Sequence, residues 1–172
     1  FTGDGPDNTG NNNNFSEPVF LNTVANCNNP NSIVLMQDGI MFQSQKGIWL
    51  LDRSLTMQYI GAPVEDFNND VVTSAFVVPN QTEVRFSLNS GKVLSYDYYQ
   101  KQWYVFSGIG AKSATIYKNL YTYLNSGSPP YIFTETPGRY SDNGKPFFMK
   151  LKTGWLSMMG IQGFERAYRL YF

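Results

Sequence analysis

Few residues in this chain could do chemistry. There is no histidine, and Cys27 is the one cysteine. Without histidine the commonest general base and metal ligand is gone. Ser-His-Asp and Cys-His sites are excluded, and so is any zinc site that needs imidazole. One cysteine cannot form an intrachain disulfide, and Cys27 reads as a small buried or half-buried apolar residue. Carboxylates remain. Asp66, Asn68 and Asp70 in "DFNND" offer oxygens at alternate positions, as the start of a calcium loop does. Such a loop needs Gly at its sixth position and Glu at its twelfth; here those are Val71 and Val77, so the stretch reads as a polar loop. "DGPDNTGNNNN" has oxygens without spacing. Glycoside hydrolysis needs two acids facing one cleft, and Glu17, Glu65, Asp66, Asp70, Glu83, Glu135 and Glu165 show no such pairing. No catalytic residue, metal ligand or cofactor is expected.

Asn14 and Asn80 open glycosylation sequons, which an Asn-rich chain produces by chance. Trp49, Trp103 and Trp155 have faces that could stack on sugars, but the apolar runs around Trp49 and Trp103 place those two in strands. Together with Phe86 they read as packing between sheets. Lys and Arg number 13, as do Asp and Glu, a balance that argues against clamping DNA by phosphate neutralisation. No apolar run reaches the ~18 residues of a membrane helix. The chain does not begin with Met and ends in apolar "AYRLYF", so both ends read as those of a piece of a longer protein.

The elements that must position these residues are strands. Residues 1–31 are Asn-, Gly-, Asp- and Pro-rich loop by turn chemistry, with one short strand at 19–21. From Ser32 come short apolar runs without helical spacing: "SIVLM", "IMFQS", "IWLLD" and "TMQYIG". They predict a four-stranded antiparallel meander, turned at Gly39 and Gly47. "TEVRFSLNSGKVLSYDYYQKQWYVFSG" repeats the plan. Gly47 and Gly91 lie 44 residues apart, and Asp52 and Asp97 lie 45 apart. A weaker third copy at "NLYTYLNSG" brings Gly127 into the same role. Gly47, Gly91 and Gly127 read as turn residues at positive φ. Val84, Phe86 and Leu88 alternate with Arg85 and Ser87, which predicts one buried face.

A period of about 40–50 residues with four short strands per unit is the mark of a β-propeller. One meander cannot bury both faces of its sheet, but stacked blades cover one another. That accounts for "IWLL" and "WYVF" being apolar at odd and even positions alike. The expected fold is all-β, a partial propeller of three to four four-stranded antiparallel blades. Its blades span 32–144, and C-terminal strands in 145–172 close or extend the array. The plainer alternative is two unrelated meanders in a β-sandwich.

The stretch from Ser32 to Asp70, with "FTGDGP" upstream and "KTGWLSMMGIQGFERAYRLYF" downstream, resembles structural tail proteins of short-tailed bacteriophages. The nearest types are the tail nozzle (tubular protein B) and the packaged-DNA stabilisation hub. The resemblance implies a virion component, made in the bacterial cytoplasm, that forms a homo-oligomeric ring beside portal and adaptor proteins. DNA would pass its channel without specific binding, and no membrane partner is implied. Two rivals stand beside it: a propeller that binds a glycan or receptor through the long loop 125–146, and a fragment of a carbohydrate-active enzyme. Tyr131, Phe133 and Arg139 in that loop are the expected partner contacts.

Overall fold

The structure is a computed structural model that describes residues 25–139 together with Ser141, Gly144, Pro146 and Lys150. The expected strands at 19–21 and in 145–172, Trp155 among them, lie outside the described residues. Every described strand belongs to one compact unit, Phe1–Arg139. Among the described residues no helix is long and apolar enough to cross a membrane.

The described residues are all-β, with three antiparallel sheets met in chain order. The first contains β1 (Val34–Met36), β2 (Gly39–Ser44), β3 (Gly47–Asp52) and β4 (Met57–Tyr59). A 3-10 segment, Ala62–Phe67, leads to the second: β5 (Val72–Val77), β6 (Glu83–Leu88), β7 (Val93–Asp97) and β8 (Gln102–Phe106). The third has β9 (Ala111–Tyr117), β10 (Leu120–Asn125) and β11 (Ile132–Thr134). Each strand pairs with its sequence neighbour, so every sheet is a meander. The periodicity predicted the first four-stranded sheet, the strands β6, β7 and β8 of the second, and the equivalence of β2, β6 and β10.

Three strands escape the pattern. β5 shows no alternation because Val72, Ser74 and Ala75 are all buried and a bulge interrupts its register between Val72 and Ser74. β9 mixes polar and apolar residues, and Lys112, Ser113, Thr115 and Tyr117 in it are exposed. β11 lies inside what the sequence reads as loop 125–146, so that segment is shorter as a loop than expected.

Two turn glycines behave as the repeat requires. Gly47 has φ +92° and Gly91 has φ +83°, a region that side chains with a Cβ avoid. A Cβ on Gly47 would run into the Asn68 carboxamide, and one on Gly91 would sit 3.2 Å from Gly110 Cα. At Gly39 the obstacle is the Leu51 carbonyl across the ladder. Gly127 departs from expectation, for it has no left-handed φ. Its turn is held by the Asn125 carboxamide, which accepts from the Gly127 N–H at 3.2 Å and the Tyr131 N–H at 2.9 Å.

The sheets stack face to face. Strand register sorts the side chains. Val34, Met36, Met41, Ile48 and Leu50 on one face of the first sheet form a single core with Val84, Phe86, Leu88, Leu94 and Tyr96 of the second. The opposite face of the second sheet, with Arg85, Ser87 and Ser95, meets Tyr121 of the third. Sheet two is therefore covered on both sides, and all five residues of β7 are buried. Arg85 and Ser87, expected on a solvent face, are buried in an interface. The expectation that "WYVF" is covered on both faces fails: Tyr104 and Val105 are 40% and 42% exposed, because β8 is an edge strand. The first strands of successive sheets approach one another, β1 to β5 and β5 to β9.

Candidate functional site

The chemically richest place in the described chain is the interface between the second and third sheets, centred on Arg85. β6 carries Arg85 on the face opposite Phe86, and the sheet stacking buries it. Its Nε donates to Glu83 Oε2 at 2.9 Å, Nη1 to Glu135 Oε2 at 2.6 Å and Nη2 to Gln81 Oε1 at 3.1 Å. The guanidinium also lies over the rings of Tyr121 and Phe106, with Cζ 4.9 Å and 5.3 Å from their centroids. Ser95 Oγ donates to Glu83 at 2.9 Å, and the Ser87 and Tyr121 hydroxyls are 3.1 Å apart. Burial alone would lower the Arg85 pKa. The bond to Glu135 and the charges of Glu135 and Glu83 outweigh it, so the cation is held above its ordinary value. Burial also pushes the Tyr121 phenol up, against the Ser87 bond and the Arg85 charge. The planar fork suits this role because it bonds two carboxylates and stacks on rings at once. Chemically the group is a clamp: its donors are committed to protein acceptors.

The other interface is joined by amides. Gln43 of β2 accepts the Val72 N–H at 3.0 Å and donates to the Asp70 carbonyl at 2.6 Å. Asn29 Nδ2 reaches the Val72 carbonyl at 2.7 Å and Gln43 Oε1 at 3.0 Å. Trp103 Nε1 donates to the Ile60 carbonyl at 2.8 Å, bridging the first two sheets. Phe86 is fully buried beside it, with ring centroids 6.1 Å apart. Trp49 is not in this interface. Its register partners put it on the outer face of the first sheet, where it packs on Tyr59 at 5.2 Å.

Asp52 and Asp97, noted in the sequence only for their spacing, end β3 and β7 and do the same job. Asp52 accepts from the Ser54 hydroxyl at 2.7 Å, the Thr56 N–H at 2.8 Å and the Ser54 N–H at 2.9 Å. These bonds, the Ser54 hydroxyl foremost, hold its pKa below the usual value. Asp97 is lowered chiefly by the Gln100 N–H, with the Thr82 hydroxyl and Tyr99 N–H adding to it. Capped carboxylates of this kind make poor general acids. Asp52 lies on a cleft of about 370 Å³ with Asp38, Gln58, Tyr96, Tyr98 and Lys101. Burial, then the charges of Asp38 and Asp97, raise the Tyr96 pKa.

The "DFNND" residues serve the turn between sheets: Asp70 accepts from Ser90 Oγ at 2.6 Å, and Asn68 sits against Gly47. No group of three or more His, Cys, Asp and Glu residues converges among the described residues. Asn80 sits exposed beyond β5, and Cys27 is exposed rather than buried. Of the expected contact residues, Tyr131 is 57% exposed, Phe133 is half-buried against Tyr123 at 5.6 Å, and Arg139 is exposed. The sequence reading missed Arg85, Gln43 and Glu135. A charged residue alternating with Val84 and Phe86 looks like a solvent-face residue until a third sheet is known to cover it. No family model, no curated protein and no solved structure matches this chain.

Proposed function

We propose that the chain is a non-enzymatic structural component of a bacteriophage tail, of nozzle or hub type, built as part of a β-propeller. The observation that carries this reading is the stacking mode. Successive meanders bury the same pair of faces against each other, and their first strands gather together, as blades do around an axis. The short-tailed-phage resemblance of residues 32–70 gives the stack its biological setting. In that setting the partners are portal or adaptor proteins and further copies of the chain, and DNA slides past. A balanced 13 and 13 of opposite charges suits a wall that must not trap phosphates.

The test is localisation. Antibody raised against the exposed Asn125–Tyr131 turn and coupled to gold is applied to purified tailed particles from a phage that encodes the chain. Labelling at the tail, below the capsid vertex, supports the proposal; unlabelled tails whose disrupted proteins also lack the chain overturn it. A glycan- or receptor-binding module is the second reading, favoured by the aromatic row Tyr123, Phe133 and Tyr131. Glycan-array binding that is lost in Tyr131→Ala supports that one.

A further inference from the structure

Where the interface between the second and third sheets has its clamp, the interface between the first and second has an opening. In the second sheet Glu83 stands opposite Asp97 and Arg85 opposite Ser95; at the same places in the first sheet Gly39 stands opposite Asp52 and Met41 opposite Leu50. Glu135 has a counterpart too. It continues the ladder of β11 opposite Tyr121, its N–H bonded to the Tyr121 carbonyl, as Tyr96 stands opposite Val84. Glu83, Arg85 and Glu135 of the later interface therefore correspond to Gly39, Met41 and Tyr96 of the earlier one. Glycine has no side chain and methionine no charge, so no cation stands here. This end of the interface holds the cleft of about 370 Å³, with Leu50 and Asp52 on one side and Tyr96 and Trp103 on the other.

The cleft offers acceptors without a donor. Tyr96 is only 6% exposed, yet among the described residues no hydrogen bond reaches its hydroxyl. A buried phenol usually finds a partner. This one lies in a negative field, for the charges of Asp38 and Asp97 add to burial in raising its pKa. Asp38 forms no ion pair among the described residues, and Asp52 Oδ2 meets only the Gln58 amide, at 3.4 Å. The Trp103 indole N–H and the Tyr98 hydroxyl already donate to the Ile60 and Gln81 carbonyls. Lys101 on the lip and Arg53 beside it are exposed, so solvent screens their charges. We infer that the cleft binds a small organic cation with a guanidinium or primary ammonium head, in the place that the Arg85 head takes one interface later. Tyr96 and Asp38 accept from that head, Asp52 adds its charge, and the Trp103 ring forms a wall. A bare metal ion fits less well, because no three His, Cys, Asp or Glu residues converge among the described residues. The inference concerns the chain's own interior and does not rest on a role in a tail.

The test titrates the full, isotope-labelled chain with agmatine, which carries a guanidinium and an ammonium and no carboxylate. NMR follows the amides of Gln58, Tyr96 and Lys101, and saturable shifts confined to the cleft are expected. Tyr96→Phe and Asp38→Asn each weaken binding roughly tenfold, whereas Lys101→Gln tightens it by removing a like charge. Urea unfolding checks that the variants stay folded; Asp38 is exposed, so Asp38→Asn keeps the test open if Tyr96→Phe unsettles the core. Shifts that never saturate, or that scatter over acidic surface elsewhere, overturn the inference. So does binding that weakens in Lys101→Gln, the sign of an anionic head. A methyl glucoside that shifts the same amides when agmatine does not makes the cleft a sugar site instead. Calcium chloride that displaces agmatine better than sodium chloride of equal ionic strength makes it a metal site, and either result sinks the organic cation.

Discussion

Replacing Arg85 with Met tests how the second interface is held together. In paired-strand register Arg85 stands where Met41 stands in the first sheet: Met41 faces Leu50, and Arg85 faces Ser95. Arg85→Met therefore installs the residue that the apolar interface already uses, keeping an unbranched apolar stem and removing the guanidinium. The cost is electrostatic. The Glu83 side chain is only 23% exposed, and Asp97 lies directly opposite it on the neighbouring strand. Removing the cation leaves a half-buried carboxylate beside a second one. Stranding a buried charge costs about 3–5 kcal/mol, and the lost stacking on Tyr121 and Phe106 adds about 0.5–1 kcal/mol. Glu135 is 44% exposed, so solvent screens its share to no more than about 1 kcal/mol. The expected loss for Arg85→Met is then about 3.5–7 kcal/mol, and for Glu135→Gln about 0.5–1 kcal/mol. The combination Arg85→Met with Glu83→Gln recovers most of it, since no charge is left unpaired. Urea unfolding of the wild type, Arg85→Met, Glu83→Gln and the double variant gives the coupling directly. A loss under about 1 kcal/mol for Arg85→Met, or no coupling to Glu83, refutes the claim that the clamp holds the sheets through charge.

Gly47→Val and Gly91→Val each lower stability by about 1–3 kcal/mol, whereas Gly127→Ala changes it by under about 1 kcal/mol because no left-handed backbone is strained; thermal melts distinguish the three. Gln43→Leu leaves the Val72 N–H and Asp70 carbonyl without their partner, at about 1–3 kcal/mol for each group that water cannot reach, read by urea unfolding and by faster amide exchange at Val72. Trp103→Phe removes the bond to Ile60 and costs about 1 kcal/mol beyond the lost ring area. Asp52 and Asp97 have folded pKa values below the ordinary 3.8, so their stabilisation is full above that value and is lost as pH falls through the folded pKa. The melting temperature of the wild type therefore drops below about pH 4 more steeply than that of an Asp52→Asn, Asp97→Asn double variant.

Much was legible in the sequence, for a local reason. Turn glycines at Gly47 and Gly91, strand-length apolar runs and the recurrence of Asp52 at Asp97 depend on backbone sterics and nearest neighbours along the chain. They sufficed for the first four-stranded meander, for three strands of the second and for placing β10 as the third copy. Which side of each strand is inside was another matter. A period of two says that two faces differ, but not how many are covered. Arg85 and Ser87 look like solvent residues, and Trp49 looks like interface, until the order of stacking is known. Only the tertiary structure put Tyr121 and Glu135 over Arg85, brought Gln43 to the start of β5 and turned Trp49 outward. Burial is decided by what packs on a sheet, and the partner sheet comes from residues about 40 positions away.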